Sequence, residues 1–252
     1  MTFLNARIVL NRECNVLTTV PVNRLIEALP HKERNKLLQE CEPVELEFGM
    51  VLCEEDRLIQ YVYFPTTSII SLVTTLSDHP PLQMGMIGNE GMLGGTLALG
   101  INVASMRALV QGNGTALRMN AEQLRHELRE NAALLQILNR YIYVLMAQLS
   151  KTVACTHFHE IEPRLAHLLL MTHDRAPADH FHLTHEFLAN MLGVRRSGIT
   201  VAAGILQKHK LINYKRGEIR ILNRKGLEAV ACECYKDAIE DYEQILGENV
   251  KF

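Results

Sequence analysis

Tryptophan is absent from the 252 residues, and the remaining make-up, 48% apolar and 21% charged, is ordinary for a soluble chain with room for two domains. No uninterrupted apolar run approaches the roughly 18 residues that suggest a membrane span. The opening MTFLNARIVLNRE is broken by Arg7 and Arg12 and lacks the apolar core of a secretory signal, so the expectation is a cytoplasmic protein without membrane contact. A disulfide pattern is missing as well. Cys14, Cys41, Cys53, Cys155, Cys232 and Cys234 are scattered and read most simply as free thiols. Cys232 and Cys234, one residue apart on an expected helix, should point to different faces. Histidine is scarce where a barrel enzyme would need it: residues 44–119 contain only His79, too few for a two-His metal triad. The chain is therefore expected not to be an enzyme, with no metal and no cofactor.

What is present is concentrated between Leu183 and Leu222. Thr184 can cap a helix, Glu186 suits its first turn, and Phe187, Leu188, Met191 and Leu192 recur at helical spacing until Gly193 reverses the chain. A second periodic run buries Ile199, Ala202, Ala203, Ile205 and Leu206 and leaves Arg195, Arg196, Ser197 and Thr200 outward. Ala189, Gly193 and Ile199 fall where two steeply crossed helices need a small contact, a tight corner and an apolar plug. Residues 211–222 then alternate apolar and polar about a turn at Arg216-Gly217. This is the pattern of a winged helix-turn-helix.

Charge points the same way. Nine basic residues between Arg195 and Lys225 face a single acidic one, Glu218, inside a chain of net charge −2. A local excess of that size is what a phosphate-facing surface requires.

The segment LTHEFLANMLGVRRSGITVAAGILQKHKLI resembles, without gaps, the DNA-binding signature of the Crp/Fnr family of bacterial transcription regulators. The resemblance implies a homodimer on double-stranded DNA, a sensor domain ahead of the winged helix, a small-molecule effector, and RNA polymerase as a candidate partner. It puts a base-reading arginine at Arg196. Arg195, Ser197 and Thr200 would support it, with Lys215 and Arg216 of the wing on the backbone. The family usually has Ser before that arginine and Glu after it. Here Arg195 and Ser197 stand instead, and Val201 holds a third frequent contact position. The best-known half-site of the family is therefore not carried over.

The rest of the chain fits that plan. Residues 21–40 read as a helical pair, and residues 44–119 as short strands punctuated by glycine and proline, a double-sheet jelly roll. In the family this barrel holds cyclic AMP through a glycine-rich turn, a glutamate on the ribose and an arginine on the phosphate. Gly91-Met92-Leu93-Gly94 resembles the turn, but Met92 and Ala104 replace the two polar residues. A buried phosphate without a cation would go uncompensated, so cyclic AMP binding in the usual mode is not expected. The iron–sulfur branch of the family is not matched either, because Cys14, Cys41 and Cys53 lie too far apart. From residue 122 to about 158 runs a long helix with a possible break at Asn131. Its stripe Leu134, Leu138, Tyr141, Leu145, Leu149 and Val153 resembles the family's dimerisation seam.

Seven of the eleven histidines lie between His157 and His185, and they read as hinge and surface residues, since no cysteine or carboxylate set completes a metal site beside them. A final helix carries Leu227, Val230, Tyr235, Ile239, Tyr242 and Leu246, with acidic positions turned from DNA. The expected architecture is α+β: a jelly-roll sensor over 1–130, a dimerisation helix over 131–158 and the winged helix over 159–252. The alternative is a metal- or small-molecule-binding jelly roll whose winged helix docks proteins.

Overall fold

Residues 22–176 and 179–247 are described by a computed structural model of the chain; Cys14 and the opening segment lie outside them. Two short helices come first, α1 (Arg24–Glu27) and α2 (His31–Gln39). Asn23, fully buried, caps α1 by accepting from the N–H groups of Leu25 and Ile26 and donates its amide to the carbonyls of Pro65 and Gly91. One side chain thus fastens the helix to two turns of the barrel.

The strands are β1 (Glu42–Leu46), β2 (Val51–Cys53), β3 (Tyr61–Pro65), β4 (Ile69–Thr74), β5 (Leu82–Ile87), β6 (Arg107–Gly112) and β7 (Gly114–Asn120). They form two antiparallel sheets, ordered β1-β7-β3 and β2-β6-β4-β5. The chain changes sheet at Asn113, between β6 and β7. There Gly114 is required, because a Cβ would meet the Thr67–Ser68 backbone at 2.5–2.7 Å. This is the double-sheet jelly roll.

Two helices follow, α3 (Ala121–Glu130) and α4 (Ala132–Phe158). Asn131 separates them, extended at φ −117° and ψ 90°, its Oδ1 accepting from Leu134 N–H to restart the helix. The second half of the chain is α5 (Ile161–Arg175), β8 (His180–His182), α6 (His185–Leu192), α7 (Arg196–Lys208), β9 (Ile212–Lys215), β10 (Glu218–Ile221), α8 (Arg224–Val230) and α9 (Cys234–Leu246). β8 adds to the hairpin to give a sheet ordered β8-β10-β9. The two halves share cores. Ile69, Val73 and Met86 of the barrel pack with Leu188, Met191 and Leu206 of the helix-turn-helix region, and Tyr242 and Leu246 of α9 pack with Leu25, Met92 and Leu138.

Two expectations are corrected. Leu134, Leu138 and Tyr141 are at most 1% exposed, and they close the protomer's own core instead of facing a second chain. Leu145 packs at the edge of that core, Leu149 is half-buried, and Val153 is open. The physical reason is that the barrel and α9 both need an apolar lid, and the strongest stripe of α4 supplies it. The face left open carries Tyr143, Met146, Val153 and Phe158. The expected final helix is likewise broken into α8 and α9, with Cys232 in the link between them. Among the described residues α4 is the one helix long and apolar enough to cross a membrane by length and composition, and its buried stripe is occupied by protein.

Candidate nucleic-acid interface and hinge cluster

Thr184 caps α6, its hydroxyl accepting from Phe187 N–H at 3.1 Å, and Gly193 ends the helix in the left-handed region at φ 63°. Arg164 of α5 donates to the Leu192 carbonyl at 2.5 Å, so the corner is held from behind. Ile199, Ala202, Ala203 and Leu206 of α7 are buried. The outer face is Arg195, Arg196, Ser197, Thr200 and Val201, all exposed. Arg195 occupies the N-cap of α7 without a side-chain bond to the helix, so the positive end of the helix dipole is covered by no side-chain oxygen.

The wing is a two-residue hairpin. Arg216 and Gly217 have φ of 54° and 87°, which fits the doubly left-handed turn preferred between twisted strands. Lys215 and Arg216 stand exposed at its tip. Wing and helix are coupled by bonds that sequence patterns do not announce. The Thr200 hydroxyl is 3.1 Å from His185 Nδ1, the His185 ring stacks on Tyr214 at 4.2 Å, and Gln207 Oε1 accepts from Tyr214 N–H. Burial, and next the nearby Arg196 charge, holds the His185 pKa below its ordinary value, which favours a neutral ring at this contact. Thr200 is thus engaged on both sides, since its hydroxyl also donates to the Arg196 carbonyl. Arg224, counted among the basic residues, belongs to the scaffold: it pairs with Asp174 and Glu228.

A family model of the Crp-like helix-turn-helix domain matches residues 163–230. This region is a Crp-like helix-turn-helix domain. Over 76–82% of its length the chain has the fold of solved Crp/Fnr-type regulators. FixK2 from Bradyrhizobium japonicum is 14% identical, with a TM-score of 0.64 over 76% of this chain and 98% of that one. A putative Crp/Fnr-family transcriptional regulator from Eubacterium rectale gives 15% and 0.64 over 82% and 96%. The c-di-GMP-responsive global regulator CLP of Xanthomonas campestris gives 13% and 0.61 over 76% and 99%. No curated protein sequence matches the chain.

In the barrel of this Crp-like chain, Met92 is 1% and Ala104 8% exposed, both part of the apolar core. Tyr141 of α4 lies beneath the glycine-rich turn and donates its hydroxyl to the Met92 carbonyl at 3.1 Å; a Cβ on Gly91 would collide with that ring. Arg107 is turned away, paired with Glu54 at the surface. Just before the turn, Glu90 forms an ion pair at 2.8 Å with Arg175 at the end of α5, and both side chains are fully buried.

The clustered histidines do not make one site. His173 contacts Asp179 and Arg224, His182 pairs with Glu218, and His185 joins the wing. His159 and His167 go elsewhere, to a group of thiols at the hinge. Cys155 near the end of α4 lies 3.6 Å from Cys232, and Cys234 lies 3.6 Å from His159 Nδ1. The link between α8 and α9 is what brings Cys232 and Cys234 to the same side, against the expectation of divergent faces. Contact with Cys232 draws the Cys155 thiol well below the ordinary thiol range, and the same contact raises Cys232 itself; burial lifts Cys234 to about 11. Contact with Cys155, more than with Glu233, raises His159.

Proposed function

We propose that the protein is a homodimeric, sequence-specific DNA-binding transcription regulator whose α7 enters the major groove. The observation that carries this reading is the start of α7, where Arg195, Arg196 and Ser197 stand exposed around an uncapped helix end. Such an end suits a phosphate, and an arginine beside it can reach the O6 and N7 acceptors of guanine. Arg196 is the base-reading residue, Arg195 and Ser197 hold the backbone, and Lys215 with Arg216 lay the wing along it. Thr200, tied to His185, orients the face. Two copies pair through the open side of α4, along Tyr143, Met146 and Val153, so that two recognition helices meet half-sites about 34 Å apart. RNA polymerase is a candidate partner for the acidic residues of α9, and the cytoplasm is where such a protein acts. The effector is a small molecule other than cyclic AMP in the usual mode, because Met92 and Ala104 sit in the core where ribose and phosphate would need polar partners.

The test is selection of bound sequences from a random duplex pool, followed by titration of the selected duplex with the parent and with Arg196→Ala. The expected result is a steep fall of affinity with salt and a loss in the variant of about 1–3 kcal/mol with relaxed sequence preference. A variant that titrates like the parent would remove Arg196 from the interface.

A further inference from the structure

Among the described residues, Cys155, His159, Cys232 and Cys234 present four ligand atoms that all lie within 4.8 Å of one another. The three thiols are 6–8% exposed and form a small core of their own. A tetrahedral ion with bonds of about 2.3 Å to sulfur and about 2.0–2.1 Å to nitrogen sets two sulfurs about 3.8 Å apart and a sulfur and a nitrogen about 3.6 Å apart. The Cys155–Cys232 and Cys234–His159 spacings are both 3.6 Å. A disulfide needs sulfurs about 2.05 Å apart and would leave the third thiol and the imidazole without a role.

The imidazole is oriented as a ligand would be. His159 turns Nδ1 to the thiols and Nε2 to Glu233, 3.1 Å away, the carboxylate–histidine arrangement that fixes the tautomer of a metal-bound ring. His167 Nδ1, 3.6 Å from the Cys232 sulfur, is placed to donate to a thiolate. We propose that Cys155, His159, Cys232 and Cys234 bind one tetrahedral zinc-class ion that clamps the end of α4 to the link between α8 and α9. Three thiolates and one imidazole within so small a radius suit a borderline-soft ion and exclude magnesium and calcium, which take oxygen ligands. All four protein ligands are supplied, which makes the site structural rather than catalytic.

The test uses the full chain purified under reducing conditions. Metal analysis is expected to find about one zinc per chain. Protein stripped with a chelator and titrated with cobalt(II) is expected to show the intense visible bands of tetrahedral cobalt and the ultraviolet thiolate-to-cobalt transition, both saturating at an equimolar ratio and both abolished by added zinc. Cys234→Ser should weaken these bands at least tenfold in apparent affinity, while Cys41→Ser, at a half-buried thiol in the barrel core, should leave them unchanged. Should Cys234→Ser not fold, the cobalt spectrum of the parent decides alone. Absence of the tetrahedral bands, bound iron with sulfide, or a Cys155–Cys232 disulfide that persists in zinc-loaded protein would each overturn the proposal. None of these readouts involves DNA, so their failure leaves the assignment of α7 standing.

Discussion

The proposed DNA-facing surface and the thiol cluster at the end of α4 are built in opposite ways. The first is assembled from residues 184–217, a short stretch whose outward side chains reach solvent and whose first helix, α6, is closed at both ends by its own caps. The second joins residues 77 positions apart and buries almost everything it joins. The Glu90–Arg175 pair, 85 positions apart and fully covered, belongs with the hinge in this respect. A surface made locally can change its partner without changing its fold, whereas a contact assembled across the molecule is part of what folds it.

That contrast can be broken by measurement. The largest effect is expected at Arg175→Leu, which strands the Glu90 carboxylate in the core: chemical denaturation should show a loss of about 3–5 kcal/mol. A loss under 1 kcal/mol would mean that the pair holds nothing together. Arg196→Ala should be the reverse case, with its cost of about 1–3 kcal/mol confined to DNA affinity and the unfolding free energy within about 0.5 kcal/mol of the parent. If it unfolds the protein instead, the face is not an independent surface. Gly217→Ala forces a side chain into φ 87° at the wing turn and should cost about 1–2 kcal/mol of stability, seen as a lower denaturation midpoint. Thr184→Ala removes the cap of α6 for about 1 kcal/mol. Smallest of all, Lys215→Ala should lower the slope of log affinity against log salt by about 1 for every duplex alike; a change confined to one sequence would make Lys215 a base reader.

Much of the fold could be read from the chain because it is written locally. Thr184 and Gly193 bracket α6, the alternation at 211–222 gives the hairpin, and Gly114 and its neighbours punctuate the barrel. The stripe on α4 was legible as a stripe, but periodicity gives a face without saying what covers it. Leu134, Leu138 and Tyr141 turned inward because the barrel and α9 compete for the same apolar surface as a second chain would. β8 is too short to show a period, and His180 and His182 are alternate residues on that strand. The hinge thiols were invisible for a different reason. Nothing near Cys232 in the chain says that helix α9 folds back along α4, with Lys151 bound to Asp241 at 2.7 Å, and it is that return which delivers Cys232 and Cys234 to Cys155.

Helix α4 is a rod of 27 residues, roughly 40 Å long, gripped near its middle by the Tyr141 hydroxyl on Met92 and further along by Lys151 on α9. A shaft held at two points cannot spin about its own axis without breaking both grips. Under the proposed function, a signal from the barrel would therefore travel along α4 as a swing of the rod, with the length of the arm, and not the softness of the joint, setting how far α7 moves.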